Sequence, residues 1–149
     1  MGNAAVFGLI IKTLVNDSTL KTLMNISLFE QTDYSLMIKK YFLQTDVTDE
    51  FVDDGSCRLL IKRGIQRDTG CNYIKFDNLV IEIYCPKFKD FMTEFQSRTI
   101  QIADRLQTLL NHVSFSDRKL IFVNAYEMPS GTKFFKRYNV RFEFKNIYK

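Results

Sequence analysis

The 149-residue chain has no Trp, two Pro, six Gly and one His. So little Gly and Pro excludes a collagen-like or low-complexity chain, and with 46% apolar and 26% charged residues the composition excludes disorder and predicts one globular domain, 1–149. The longest apolar stretch, Ala4 to Val15, is broken by Lys12 and followed by Asn16 and Asp17, short of the roughly 20 residues that cross a bilayer. No membrane partner is expected. The Met1-Gly2 start has Val6 where a myristoylation signal needs Ser or Thr, and no basic segment precedes the apolar run, so neither lipid anchor nor signal peptide is read. The three cysteines, Cys57, Cys71 and Cys85, are odd in number and lack C-x-x-C spacing. That disfavours a disulfide framework or zinc knuckle and points to a reducing compartment. Isolated Gly64, Gly70 and Gly131 make no phosphate-cradling loop, so no cofactor is expected.

What is present reads as helices first and strands later. Val6, Leu9, Ile10, Thr13 and Leu14, then Leu20, Leu23 and Met24, recur at helical spacing, predicting two short helices within 1–27 broken at Asn16–Thr19, with Asp17 or Ser18 capping the second. Residues 28–56 have no clean period and end in an acidic run (Asp46, Asp49, Glu50, Asp53, Asp54) and a Gly55 turn, predicting a long connection. The rest, 57–149, reads as a sheet-plus-helix core. Cys57 to Gly64 alternates as a strand, and Tyr73 to Cys85 forms a second, closed by Pro86. Phe88, Phe91, Met92, Phe95, Thr99, Ile102, Ala103, Leu106, Leu109, Leu110 and Val113 follow helical steps, predicting one long amphipathic helix whose first part, before Ser97, is alternatively a loop. Lys119 to Tyr126 reads as a buried strand, and Phe134 to Phe144 as a last strand with Tyr138, Val140, Phe142 and Phe144 on its apolar face. The expected fold is α+β: a four-stranded, largely antiparallel sheet packed against a long helix, with N-terminal helices.

Candidate chemistry is sparse. A Cys-His mechanism would need Cys85 or Cys71 beside His112. Cys57 and Cys85 read better as small core residues, and His112 as a C-terminal helix residue favoured by the helix dipole, so no catalytic residue and no enzyme is expected. The acidic run lacks the Gly and Glu positions of a calcium loop, so no metal is expected. The charge is more informative. Residues 117–149 hold eight Lys or Arg against three acids, a local +5, leaving −1 over the other 116 residues. The basic set Lys133, Lys136, Arg137 and Arg141, with Tyr138, suits either a nucleic-acid surface or one half of a head-to-tail contact with the acidic run on a second copy.

Four segments carry a resemblance: Ile81-Glu82-Ile83-Tyr84-Cys85-Pro86, Arg98 to Asn111, Leu120-Ile121-Phe122-Val123-Asn124-Ala125, and Arg137-Tyr138-Asn139-Val140-Arg141-Phe142. Together they resemble tailed-bacteriophage neck and tail-terminator (tail-completion, head-tail joining) proteins, over about half the chain. The resemblance implies a small antiparallel sheet with a packed helix and a non-enzymatic role in the virion. It also implies a ring of identical subunits between tail tube protein and head-tail connector, with genomic DNA passing through without sequence-specific binding. The expected contact residues are Asp46, Asp49, Glu50, Asp53 and Asp54 on one side and Lys133, Lys136, Arg137 and Arg141 on the other. The alternative is a small basic nucleic-acid-binding protein.

Overall fold

The computed structural model describes residues 3–45, 51, 54–63, 66–68, 74–76, 78–87, 91–93, 96–115, 118–131 and 134–146. Two helices open the chain, α1 (Asn3–Val15) and α2 (Ser18–Leu23). They break where the sequence places a cap: Asp17 has an extended backbone, and its carboxylate accepts the Leu20 N–H at 2.8 Å. Residues 28–43, read as the first half of a connection, instead fold as α3 (Leu28–Gln31), α4 (Tyr34–Leu36), a π-helical turn (Met37–Tyr41) and strand β1 (Phe42–Leu43). Each helical piece is too short to show a period, but Ser27 and Asp33 cap α3 and α4 by accepting the Glu30 and Leu36 N–H groups.

The expected four-stranded antiparallel sheet is corrected to a six-stranded mixed one. Its strands are β1, β2 (Arg58–Arg63), β5 (Asn78–Pro86), β10 (Phe135–Asn146), β9 (Arg118–Met128) and β8 (Ser114–Phe115), in that spatial order. The four strands read from sequence are the central β2, β5, β10 and β9, and they are antiparallel to one another. The additions are β1, parallel to β2, and β8, both two residues long and so invisible to a period-two pattern. The strand read from Tyr73 onward is also split. Its front, β4 (Ile74–Phe76), pairs with β3 (Gln66–Asp68) in a separate ribbon, and only Asn78–Pro86 enters the main sheet.

The long helix is the second correction. Only α5 (Arg98–Leu110), 13 residues, is helical. Ahead of it, β6 (Phe91–Thr93) pairs with β7 (Gln96–Ser97), and Ser97 keeps an extended backbone (φ −76°, ψ 131°) that starts the helix after it. The spacing of Phe88, Phe91 and Phe95 imitated a helix over a segment rich in residues that favour strands. At the other end His112 lies beyond the helix with a left-handed φ of 63°, its N–H donating to the Leu120 carbonyl, so it is not a helix-terminal residue. Asn111 helps stop the helix by accepting the Phe122 N–H with its side-chain oxygen at 2.8 Å.

The sheet's inner face meets α1, α2 and α5. Register sets Ile61, Ile81, Val140 and Ala125 in one row and Leu59, Ile83 and Tyr138 in the next. Against these pack Thr99, Ile102, Ala103, Leu106 and Leu110, the helical stripe of α5, with Ile10, Leu14, Leu20 and Met24. The polar face of α5 ties the helices together: Arg98 donates to the Leu23 carbonyl, and Arg105 pairs with Asp17.

Candidate interaction surfaces

The cysteines differ from expectation. Cys57 precedes β2 and Cys85 lies near the end of β5, and the register that pairs Arg58 with Tyr84 brings the two thiols face to face as a disulfide with a Cα–Cα distance of 4.3 Å. The sequence gives their spacing along the chain but not the strand register that aligns them. Both are fully buried, and Cys71 lies outside the described residues. The Cys57 N–H donates to the Met24 carbonyl at 2.8 Å, and Ser56 and Asn25 exchange further bonds with the same two loops, so this corner is cross-linked three ways.

The sheet's outer face is half polar. Arg58, Tyr84, Arg137 and Met128 form one cross-strand row, and Leu60, Glu82, Asn139 and Tyr126 the next. Glu82 is 3% exposed, yet its carboxylate accepts the Tyr84 hydroxyl at 2.6 Å and faces Lys62 at 2.8 Å and Arg137 at 3.0 Å. Burying a carboxylate is tolerable only with such partners. Beside it Arg58, 5% exposed, lies against the rings of Tyr41, Phe51 and Phe135 and reaches Asp54 at 2.9 Å. Burial would raise the Asp54 carboxyl, but Arg58, the Ser56 N–H and Lys40 outweigh it and hold its pKa below the usual value.

The structure thus places the predicted contact residues unevenly. Asp54 is turned inward onto Arg58 and Lys40. Asp46, Asp49, Glu50, Asp53 and Lys133 lie outside the described residues. Arg137 is held by Glu82 and by the side-chain oxygen of Asn139, and Lys136 by Glu127 at 3.4 Å. Arg141 shares a cross-strand row with Val80 and Asn124 on the same outer face. The acidic and basic sets are not brought together within one molecule among the described residues.

Two surfaces that sequence reading missed stand out instead. Leu28 and Phe29 are 80% and 88% exposed, adjacent at the start of α3. They are rigidly presented, because Gln31 donates to the Ile26 carbonyl and the Tyr41 hydroxyl donates to Glu30, pinning α3 to the body. The second is the β9 edge. The strand runs Arg118–Met128, but β8 pairs only with Arg118 and Lys119, and the rest has no strand on that side among the described residues. This corrects the reading of a buried strand: Val123, the extra residue where the β9–β10 register shifts, and Tyr126 are exposed.

A family model, YomW, matches residues 9–144, which takes in every element from most of α1 through most of β10. The chain belongs to the YomW family. YomW is a phage gene family, which points to a phage origin. No curated protein matches the chain. Among the described residues of this YomW chain, no helix is long and apolar enough to cross a membrane.

Proposed function

We propose that the chain is a structural virion protein of the phage head-tail junction, joining copies of itself into a ring that terminates or joins the tail. The ring meets the tail tube protein on one side and the connector on the other, and DNA passes through it without sequence-specific binding. The observation that carries this reading is the pairing of a rigid body with unfinished surfaces: the pinned, outward-facing Leu28 and Phe29, and the Val123–Met128 half of the β9 edge, which has no strand beside it among the described residues. Native chains rarely leave a long strand edge or neighbouring large apolar side chains to water unless something covers them. Head-to-tail addition also suits the sheet topology. Direction alternates from β2 through β5 and β10 to β9, and the edge strand β1 runs parallel to β2, so β9 of one copy laid beside β1 of the next would be antiparallel to it. The phage family supports the setting. The alternative, a small basic nucleic-acid-binding protein, has less behind it, because Lys136 and Arg137 both face carboxylates.

Native mass spectrometry and electron microscopy, with and without tail tubes, test the reading. Closed oligomers, alone or capping tube ends, are expected, and Leu28→Ser with Phe29→Ser returns the chain to a folded monomer that leaves tube ends bare. A wild-type chain that stays monomeric and ignores tail tubes overturns it.

A further inference from the structure

The buried and half-buried arginines of this fold mostly meet an oxygen. Arg58 pairs with Asp54, Arg105 with Asp17 and Arg137 with Glu82, and Arg98 donates to the Leu23 carbonyl. Arg118 differs. It opens β9 opposite Phe115 of β8 and stands two residues before Leu120, so its side chain shares the sheet's inner face with these two core residues. The residue is 9% exposed, and its guanidinium carbon lies over the Phe144 ring, 6.0 Å from the centroid. Its Nη1 is buried with no hydrogen-bond partner, and no carboxylate faces the side chain among the described residues. We infer that Arg118 is a binding site for a carboxylate supplied from outside the chain.

The need sits on one atom. Native interiors pair nearly every buried polar hydrogen, and a guanidinium N–H without an acceptor has given up its hydration for nothing in return. The Phe144 ring offers the charge a π face but gives Nη1 no lone pair. The residue keeps some solvent contact, and β8 beside it is two residues long and ends the sheet. An acceptor therefore reaches this corner through a turn of the arginine side chain, without opening the core. A carboxylate is the acceptor that fits: its two oxygens match the guanidinium's fork, and its single charge cancels that of Arg118. A phosphate dianion would leave negative charge over among Phe115, Leu120 and Phe144. Lys119, next in the chain, cannot share that excess, because alternation sends its side chain to the opposite face of the sheet. The carboxylate comes from a small molecule or from an Asp or Glu of a partner protein.

Side-chain nitrogen NMR on the full chain tests this near neutral pH, with the Arg118 signal assigned by its disappearance in Arg118→Met. Sodium acetate is the probe, sodium chloride at equal ionic strength the blank, and Arg141, half-buried on the outer face, the internal control. Acetate is expected to move the Arg118 signal along a saturating curve while chloride does not, and the Arg141 signal is expected to move little. Thermal melts supply the second measurement. Acetate should raise the wild-type midpoint more than chloride does, and Arg118→Met, itself no less stable than the wild type, should bind acetate at least about tenfold more weakly, as for one charge-assisted contact. A blocked tripeptide with Glu between two Val residues separates the sources: saturation below the acetate range marks a protein carboxylate, and saturation at or above it a small molecule. Absence of a saturating shift overturns the inference. So do equal shifts of Arg118 and Arg141, which mark diffuse charge, and tighter binding of inorganic phosphate than of acetate.

Discussion

The two faces of the sheet are built on opposite principles from the same strands. The inner face, rows such as Ile61–Ile81–Val140 under α5, holds together by excluding water, and almost any apolar residue of the right volume serves there. The outer face has a small apolar cluster of Leu43, Leu60, Tyr84 and Phe135, but it also buries Arg58, Glu82 and Asn139, each of which finds a specific partner. Non-directional burial tolerates imprecision, whereas a buried charge does not. The inner face is therefore expected to set how stable the chain is, and the outer face how its charged surface is arranged.

The largest expected effect breaks the inner face. Phe142 is fully buried and stacks edge-on against Phe122, so Phe142→Ala should cost about 3–5 kcal/mol through lost burial and the cavity left behind. Urea denaturation with an unchanged slope checks this. Next is the clamp on the inner face at the corner of β2 and β5. The Cys57–Cys85 bond closes a loop with a sequence separation of 28. Chain-entropy reasoning puts its contribution at about 3–4 kcal/mol, so reduction, or Cys57→Ala with Cys85→Ala, should lower the denaturation midpoint accordingly. A midpoint indifferent to reductant shows that the buried thiols serve as core residues alone.

The outer face should respond to charge rather than volume. Glu82→Gln keeps the shape but leaves Lys62 and Arg137 without their shared carboxylate, at a cost of about 2 kcal/mol, moderated because both cations reach solvent. Replacing Glu82, Lys62 and Arg137 together by Leu, Met and Met should recover much of that loss. If the single change is harmless and the triple is not, the face holds by packing, and the contrast between the two faces fails.

How much was legible in the sequence follows the same division. Alternation along β10 places Val140 and Phe142 in the core, helical spacing places Ile102, Leu106 and Leu110, and Asp17 caps α2, because each of these is a local pattern. The parallel β1 and the Cys57–Cys85 pairing were hidden, since both are settled by register across distant segments. Phe91 to Ser97 misled because aromatic residues three or four apart fit a helix as well as a short ribbon. The charged residues singled out as contacts were legible as types but not as partners. Arg137 and Asp54 look like free surface charges in the sequence, and only the fold shows Glu82 opposite one and Arg58 opposite the other. Leu28 and Phe29 gave no signal, because apolar residues in a short unpatterned segment read as buried until exposure is known.

The smallest effect tests whether a charge pair on the helical side behaves like those on the outer face. Asp17 does two jobs: it caps α2 through the Leu20 N–H, and it receives Arg105 of α5 at 2.9 and 2.6 Å. The Arg105 hydrogen bonds lower its pKa most. Burial opposes them, and the Leu20 N–H and the charges of Arg105 and Lys21 add to the lowering. A carboxyl held below its unfolded value stabilises the fold above the unfolded pKa and loses that contribution as pH falls through the depressed folded value. Asp17→Asn retains a good cap but removes the charge, so it should cost only about 1 kcal/mol near neutral pH, since Arg105 remains partly in solvent. Denaturation midpoints of the two proteins, measured down an acid series, should therefore converge once pH drops below the depressed carboxyl range, leaving only the difference between Asp and Asn as caps. A gap that stays constant with pH assigns the loss to geometry at the α2 cap, and the link between α2 and α5 is then made by packing and by Arg98 alone.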